Sequence, residues 1–272
     1  MTLYYQDDHV TLYHGDCMDV MASLPAESVD AIVTSPPYAM QRKSTYGGIP
    51  EKDYPEWTVA WMREAWRLLK PDGSAIINIA PHKTNGGLSD YVLRTRLALR
   101  DAGWTELDEI VWHKTNAFPS GRPNRPKRTW ESLLWYGKHG RAYGDPKANG
   151  HVPTPRVSNY VNKKAQRHGW DHDVAGGKSI PAIARCTNLY ASSVSGWWDK
   201  IDHPAAYPWQ LAEWCGKLIC PPGGTILDPF SGAASTGVAA IKNGWDYIGV
   251  DSVEEYVEMS ARRLAVERAA FA

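Results

Sequence analysis

The stretch Thr225-Ile-Leu-Asp-Pro-Phe-Ser-Gly-Ala-Ala-Ser-Thr-Gly237 decides the fold. Its first four residues are a short apolar run of the kind that forms a buried strand. Pro229 cannot donate to a strand ladder and ends the run. Gly232 permits a tight turn. A helix is expected from about Ala234 to Asn243, closed by Gly244. Tyr247-Ile-Gly-Val-Asp251 reads as the next strand. Residues 253–268 read as a last helix with Val253, Tyr256, Val257, Ser260 and Leu264 on one side. Strand, turn, helix, strand, helix is the repeating pattern of a parallel sheet with crossover helices.

The same alternation runs through the first half of the chain. Asp30-Ala-Ile-Val-Thr-Ser35 is a strand stopped by Pro36-Pro37. Residues 39–55 form a polar loop around Gly47-Gly48, and Trp57, Trp61, Ala65, Leu68 and Leu69 follow at helical spacing. Pro71-Asp72-Gly73 turns into the strand Ser74–Ile79. A helix over 88–101 and strands near Glu109–Trp112 and Ser132–Tyr136 complete this part. Pro208 sits where a first helical position is expected, ahead of an apolar face of Leu211, Trp214, Cys215 and Leu218. Residues 137–200 carry Gly, Pro, Asn, Lys, Arg and His without periodicity and read as an irregular insertion. The fold class is α/β with a mostly parallel sheet.

Composition narrows the function classes. Hydrophobic residues make up 43% of the 272, enough for a packed core and too many for global disorder. No apolar run reaches the roughly 18 residues of a membrane helix, and no signal segment opens the chain. A soluble, cytoplasmic protein without membrane contact is expected. Cys17, Cys186, Cys215 and Cys220 form no Cys-x-x-Cys pair, so no metal site or disulfide framework is indicated. The net charge of zero hides an asymmetry. Residues 114–170 hold twelve Lys/Arg and two Asp/Glu, a local 12 − 2 = +10, leaving −10 elsewhere. Arg122, Arg125, Lys127, Arg128, Lys163, Lys164 and Arg167 are the candidate phosphate contacts. Thirteen Trp and fourteen Tyr against three Phe suit stacking on bases.

Two strand ends carry the candidate ligand site. Asp228 is placed to meet the ammonium of an amino-acid-like ligand. Backbone NH groups at the following helix start, with the Ser235 and Thr236 hydroxyls, suit its carboxylate. Asp251 ends the next strand, where an acid binds both ribose hydroxyls. S-adenosylmethionine (SAM) presents an amino acid, a ribose and an adenine, and so fits the pair. A dinucleotide site would need three spaced glycines, and Asp228 would repel a pyrophosphate. Gly177-Lys178-Ser179 imitates the end of a phosphate loop, but the required earlier glycine is replaced by His172. Thr34-Ser-Pro-Pro-Tyr38 ends another strand. Its prolines stiffen the backbone, so that the Ser35 oxygen and the Pro36 carbonyl can accept both hydrogens of an amino group. Tyr38 is placed to stack on the ring that bears it.

These segments together resemble the β-type, circularly permuted amino DNA methyltransferases. The matching residues are His14-Gly-Asp16, Leu24-Pro25, Ser28-Val-Asp30, Thr34–Tyr38, Arg67–Gly73, Ile110–Asn116, Trp130-Glu131, His203-Pro-Ala205, Asp228-Pro-Phe230 with Gly232, and Gly249-Val-Asp251. The resemblance implies a Rossmann-like domain with a seven-stranded sheet, SAM as cofactor and double-stranded DNA as partner. It implies that Asp16, Cys17 and Thr34 lie by the cofactor, Asp16 near the adenine. Asp251 falls to the ribose, and Asp228, Pro229, Phe230, Gly232, Ser235 and Thr236 to the methionine end. It assigns Ser35, Pro36, Pro37 and Tyr38 to the flipped base. It divides the chain into a catalytic half (1–139), a target-recognition insertion (140–202) and a SAM-binding half (203–272). Ala234 departs from the family's second glycine. The resemblance leaves open a homodimer and an accompanying restriction enzyme.

Ser at position 35 leans toward cytosine N4; Asp there is usual for adenine N6. Cytosine C5 methylation needs a nucleophilic Cys after Pro, and no Pro-Cys occurs. Protein glutamine methylation would leave the basic region unexplained. A non-catalytic DNA-binding protein that keeps the fold is the alternative from another class.

Overall fold

A computed structural model describes residues 1–41, 47–84, 87–117, 124–151, 183, 185–194 and 207–271. Val29–Thr34 (β3) and Thr225–Asp228 (β10) lie side by side and parallel, with Ala31 opposite Ile226 and Ile32 opposite Leu227. So short a pair has few ladder bonds, and side chains extend it at both ends. At the start, Thr225 N donates to Asp30 Oδ2 at 2.8 Å, and Lys70 Nζ neutralises the same carboxylate. At the finish, Thr34 Oγ1 donates to Asp228 Oδ1 at 2.6 Å. The pair therefore joins chain segments 194 residues apart.

Beside β10 runs Asp246–Asp251 (β11), followed by Val10–His14 (β2) and Thr2–Gln6 (β1). Beside β3 run Leu69–Ile79 (β4), Trp130–Gly137 (β8), Thr105–Lys114 (β7) and Leu189–Ser192 (β9). Lys83–Thr84 (β5) and Gly87–Leu88 (β6) form a separate two-stranded ribbon. Strands β2, β11, β10, β3 and β4 are mutually parallel; β8 runs antiparallel to both neighbours, and β1 antiparallel to β2. The expected seven strands correspond to the span from β2 to β7, and β1 and β9 lengthen the sheet at its two edges.

Helices cover both faces, each held by an apolar stripe. Cys17–Ser23 (α1) and Tyr54–Leu68 (α2) pack on one face with Tyr91–Asp101 (α3). Trp209–Ile219 (α4) and Ser235–Asn243 (α5) pack on the other, with Glu254–Phe271 (α6) beside α5. In α2 the buried stripe is Tyr54, Thr58, Trp61, Met62, Ala65 and Leu68, so Trp57 is turned aside from it and Leu69 already belongs to β4. Gly237 brings α5 onto the sheet: a Cβ there would meet Tyr247 Cε1 at 2.7 Å.

Three elements precede Asp30 where periodicity predicts none. β1 is an exposed edge strand, β2 is Thr-, Tyr- and His-rich, and α1 spans only seven residues. Pro208 is the cap before α4 rather than its first residue. β9 lies in the segment read as irregular, yet it pairs in parallel with β7 from Val111↔Leu189 to Lys114↔Ser192. Most of that segment, including Lys163, Lys164, Arg167 and Gly177–Ser179, lies outside the described residues, as do Arg122 and His203–Ala205. Among the described residues no helix is long and apolar enough to cross a membrane, and no cluster of three or more His, Cys, Asp or Glu could hold a metal ion.

Candidate active site

The carboxyl ends of β2, β11, β10 and β3 stand in a row, which places Asp16, Asp251, Asp228 and Ser35–Tyr38 along one rim of the sheet. In open parallel sheets ligands bind at this rim. The row is stitched together by hydrogen bonds. Gly15 N donates to the Asp251 carbonyl at 3.0 Å, and Ser231 N to the Val250 carbonyl at 2.8 Å. Gly232 N donates to Asp251 Oδ2 at 2.8 Å.

Asp228 is fully buried. Its carboxylate accepts from Thr34 Oγ1, from Phe230 N at 3.1 Å, from Thr236 Oγ1 at 2.8 Å and from the Tyr207 hydroxyl at 3.2 Å. Tyr207 and Thr236 are also hydrogen-bonded to each other. Among the described residues no cation touches Asp228. Burial therefore outweighs four neutral donors and pushes its pKa up to about 6. The sequence reading gives this side chain direct contact with a ligand. In the structure Asp228 instead ties the end of β3 to the first turn of α5. Ser235 and Thr236 likewise depart from expectation. Ser235 Oγ donates to the Tyr207 carbonyl at 2.7 Å and Thr236 Oγ1 to Asp228, so neither hydroxyl is turned to a ligand carboxylate.

What remains for an anion is the helix start itself. The residue before α5 is Ala234, in the left-handed conformation at φ 53° and without a side-chain cap. The first NH groups of α5 thus lack a side-chain acceptor, which is what a ligand carboxylate at a helix N-terminus supplies. The buried anion of Asp228 close by favours a ligand whose other end is cationic. Phe230 is half-buried, 5.6 Å from Trp57 and 5.3 Å from Trp61 between ring centroids. Pro229 is buried beneath it. Asp251 is 4% exposed, with its second oxygen on Val253 N at 2.9 Å, and burial raises its pKa. Asp16 is exposed and caps α1 through Met18 N at 2.7 Å. The Cys17 side chain turns into the core, where burial pushes its thiol up to about 12, so only its backbone faces the rim.

On the catalytic segment Pro36 is buried, while Ser35, Pro37 and Tyr38 are partly exposed. Among the described residues no donor meets the Pro36 carbonyl. The Tyr38 hydroxyl donates to Glu131 Oε2 at 3.0 Å. Burial and the Glu131 charge hold its pKa well above the usual tyrosine value, against a hydrogen bond from Ser35. Tyr38 is thus a neutral ring with two polar anchors.

The N6/N4-type DNA methylase family matches residues 29–262. The chain belongs to this DNA methylase family. The methylase is 27% identical over 268 residues to the Type II methyltransferase M.ScaI of Streptomyces caespitosus, covering 97% of this chain and 84% of that protein. It is 24% identical over 287 residues to the Type II methyltransferase M.PvuII of Proteus hauseri, covering 95% and 84%. Its fold matches the solved structure of the PvuII DNA methyltransferase, described as cytosine-N4-specific, at a TM-score of 0.74, 23% identity and coverage of 97% and 93%. It also matches a complex of M1.HpyAVI with SAM at a TM-score of 0.61 and 22% identity, covering 94% and 98%.

The basic stretch of the methylase is less uniform than its charge count. Arg125, Lys127, Arg141 and Lys147 are exposed. Arg128 is not: its guanidinium lies 4.3 Å over the Trp130 ring, and burial lowers its pKa. Lys114 pairs with Glu131, and Lys138 Nζ donates to the Leu69 carbonyl at 2.6 Å. Tyr207, Trp57 and Glu131 are residues at this site for which the sequence predicts no role. No spacing rule links Tyr207 to Asp228, 21 positions later, or Tyr38 to Glu131, 93 positions later.

Proposed function

We propose that this methylase moves a methyl group from SAM to the exocyclic amino group of a flipped base in double-stranded DNA, and that the base is cytosine, methylated at N4. The observation that carries the reading is the Thr34–Asp228 bond, which fixes Ser35-Pro-Pro-Tyr38 beside the turn that opens α5. SAM supplies a methyl group made electrophilic by its sulfonium. The α5 start would hold the carboxylate of the methionine end, the turn around Gly232 its backbone, Asp251 the ribose and Asp16 the adenine side. Phe230 with Trp57 would line the mouth.

The chain's own part in the chemistry is positional. An exocyclic amino nitrogen is a weak nucleophile because its lone pair is spread into the ring. Ser35 Oγ and the Pro36 carbonyl, which no donor among the described residues meets, accept its two hydrogens and draw the lone pair back onto nitrogen. A carbonyl fixed by two prolines costs little reorganisation as positive charge develops there. Tyr38 stacks on the extruded ring and replaces part of the stacking lost from the duplex. Residues 1–139 and 203–272 supply the two halves of this domain, and 140–202 supply target recognition.

Mass spectrometry of nucleosides from unmethylated genomic DNA incubated with the protein and methyl-labelled SAM tests the reading. N4-methylcytosine is expected. N6-methyladenine would keep the mechanism and reverse the base. No labelled base would overturn the reading.

A further inference from the structure

Trp130-Glu131 belongs to the family pattern, yet the mechanism above gives Glu131 nothing to do. Its surroundings do. Glu131 stands on β8, between β4 and β7, opposite Trp112. Its carboxylate takes three donors from three directions: the Tyr38 hydroxyl at 3.0 Å, Asn78 Nδ2 on β4 at 3.1 Å, and Lys114 Nζ on β7. Lys114 Nζ also lies 4.6 Å over the Trp112 ring, which further fixes it. The acceptor at the tip of Tyr38 is therefore mounted on the rigid sheet, not on a loop.

We propose that Glu131 is a positioning residue that locks the Tyr38 ring in the orientation needed to stack on the target base. Lys114 and Asn78 hold Glu131 in place for it. The inference rests on the methyltransferase reading. Pro36 and Pro37 fix the backbone leading to Tyr38, but they leave the side-chain torsions free. The bond to Glu131 at the far end of the ring, mounted on the sheet, adds to the one from Ser35 and removes that freedom. A charged acceptor makes this bond about twice as strong as a neutral one. Stability alone is a poor explanation for the cluster, since apolar replacements of partly buried ion pairs are often neutral.

A double-mutant cycle tests the link, read as methyl transfer to unmethylated genomic DNA, SAM affinity and thermal midpoint. Tyr38→Phe keeps the ring and loses the hydroxyl's bonds to Glu131 and Ser35; about tenfold lower kcat is expected, with SAM affinity and KM for DNA unchanged. Glu131→Leu should give the same loss. Glu131→Gln, which keeps an acceptor, should lose less than about threefold. The Tyr38→Phe/Glu131→Leu double variant should be no slower than Tyr38→Phe alone, because that variant already lacks the bond to Glu131. Losses that multiply to about a hundredfold, or a Glu131→Leu enzyme as fast as wild type, would overturn the inference. If Glu131→Leu does not fold, the cycle with Glu131→Gln decides by the same rule: a double variant slower than Tyr38→Phe alone overturns it. A wild-type protein that labels no base overturns both this and the methyltransferase reading. Multiplying losses in an active enzyme overturn the positioning role alone.

Discussion

Ala234 adopts φ 53° with its methyl fully buried. A left-handed alanine costs about 1–2 kcal/mol. Ala234→Gly relieves that strain, and it loses about 0.8 kcal/mol of methyl burial and a similar amount of backbone entropy. The terms nearly cancel, so stability should stay within about 1 kcal/mol of wild type. Ala239→Gly, equally buried but helical, has no strain to relieve and should cost about 2 kcal/mol. Urea midpoints of the two variants give the comparison; equal losses would mean Ala234 is not strained. Asp228 has the other residue-scale consequence. Its folded pKa, about 6, lies above the ordinary 3.8. The stability linked to its proton is present below pH 3.8 and is lost as pH rises to about 6. The difference is on the order of 3 kcal/mol. Asp228→Asn carries no such proton. Its urea midpoint, measured without SAM between pH 4 and 7, should therefore vary less than that of wild type; parallel curves would refute the assignment.

At the scale of elements, α5 matters because it follows the turn proposed to hold the cofactor and touches β11 through a glycine. Gly237→Ala places a Cβ 2.7 Å from Tyr247 Cε1 and 3.0 Å from Leu264 Cδ1. Neither ring nor helix can give way cheaply in a packed core, so a loss of about 1–3 kcal/mol is expected, together with weaker SAM binding as the helix start shifts. Thermal unfolding with and without SAM measures both; an unchanged midpoint would show that the contact relaxes freely. Elements of this kind were readable in the amino-acid sequence. β3, β4, β10 and β11 are apolar runs bounded by Pro or Gly, and α5 closes on Gly244 as expected. β1, β2, α1 and β9 were not, because edge strands and a two-turn helix bury too little to impose a pattern. The strand ends that carry Asp228, Asp251 and Ser35 were equally readable. What each carboxylate and hydroxyl touches was not, since Tyr207, Glu131 and Thr34 meet their partners only through the fold.

At the scale of the whole molecule, basic charge is concentrated in residues 114–170, with twelve Lys/Arg against two Asp/Glu. Among the described basic residues of the stretch, Arg125 and Lys127 are exposed between β7 and β8, Arg128 lies over Trp130, and Lys114 pairs with Glu131. Arg125→Glu with Lys127→Glu should weaken DNA binding and leave SAM affinity intact. It should also flatten the plot of log affinity against log salt by about 0.9 for each phosphate no longer neutralised. Unchanged DNA affinity would remove this segment from the phosphate-binding face. The pairing of β3 with β10 reaches further, into synthesis. Thr34 leaves the ribosome 194 residues before Asp228. At about 5–20 residues per second the wait is roughly 10–40 s. Through that interval β3 has one apolar edge without its partner, and no nascent chain can close the rim proposed to hold base and cofactor. A pause in translation before residue 228 prolongs that exposure, and chaperones that shield unpaired strands would decide how much chain matures.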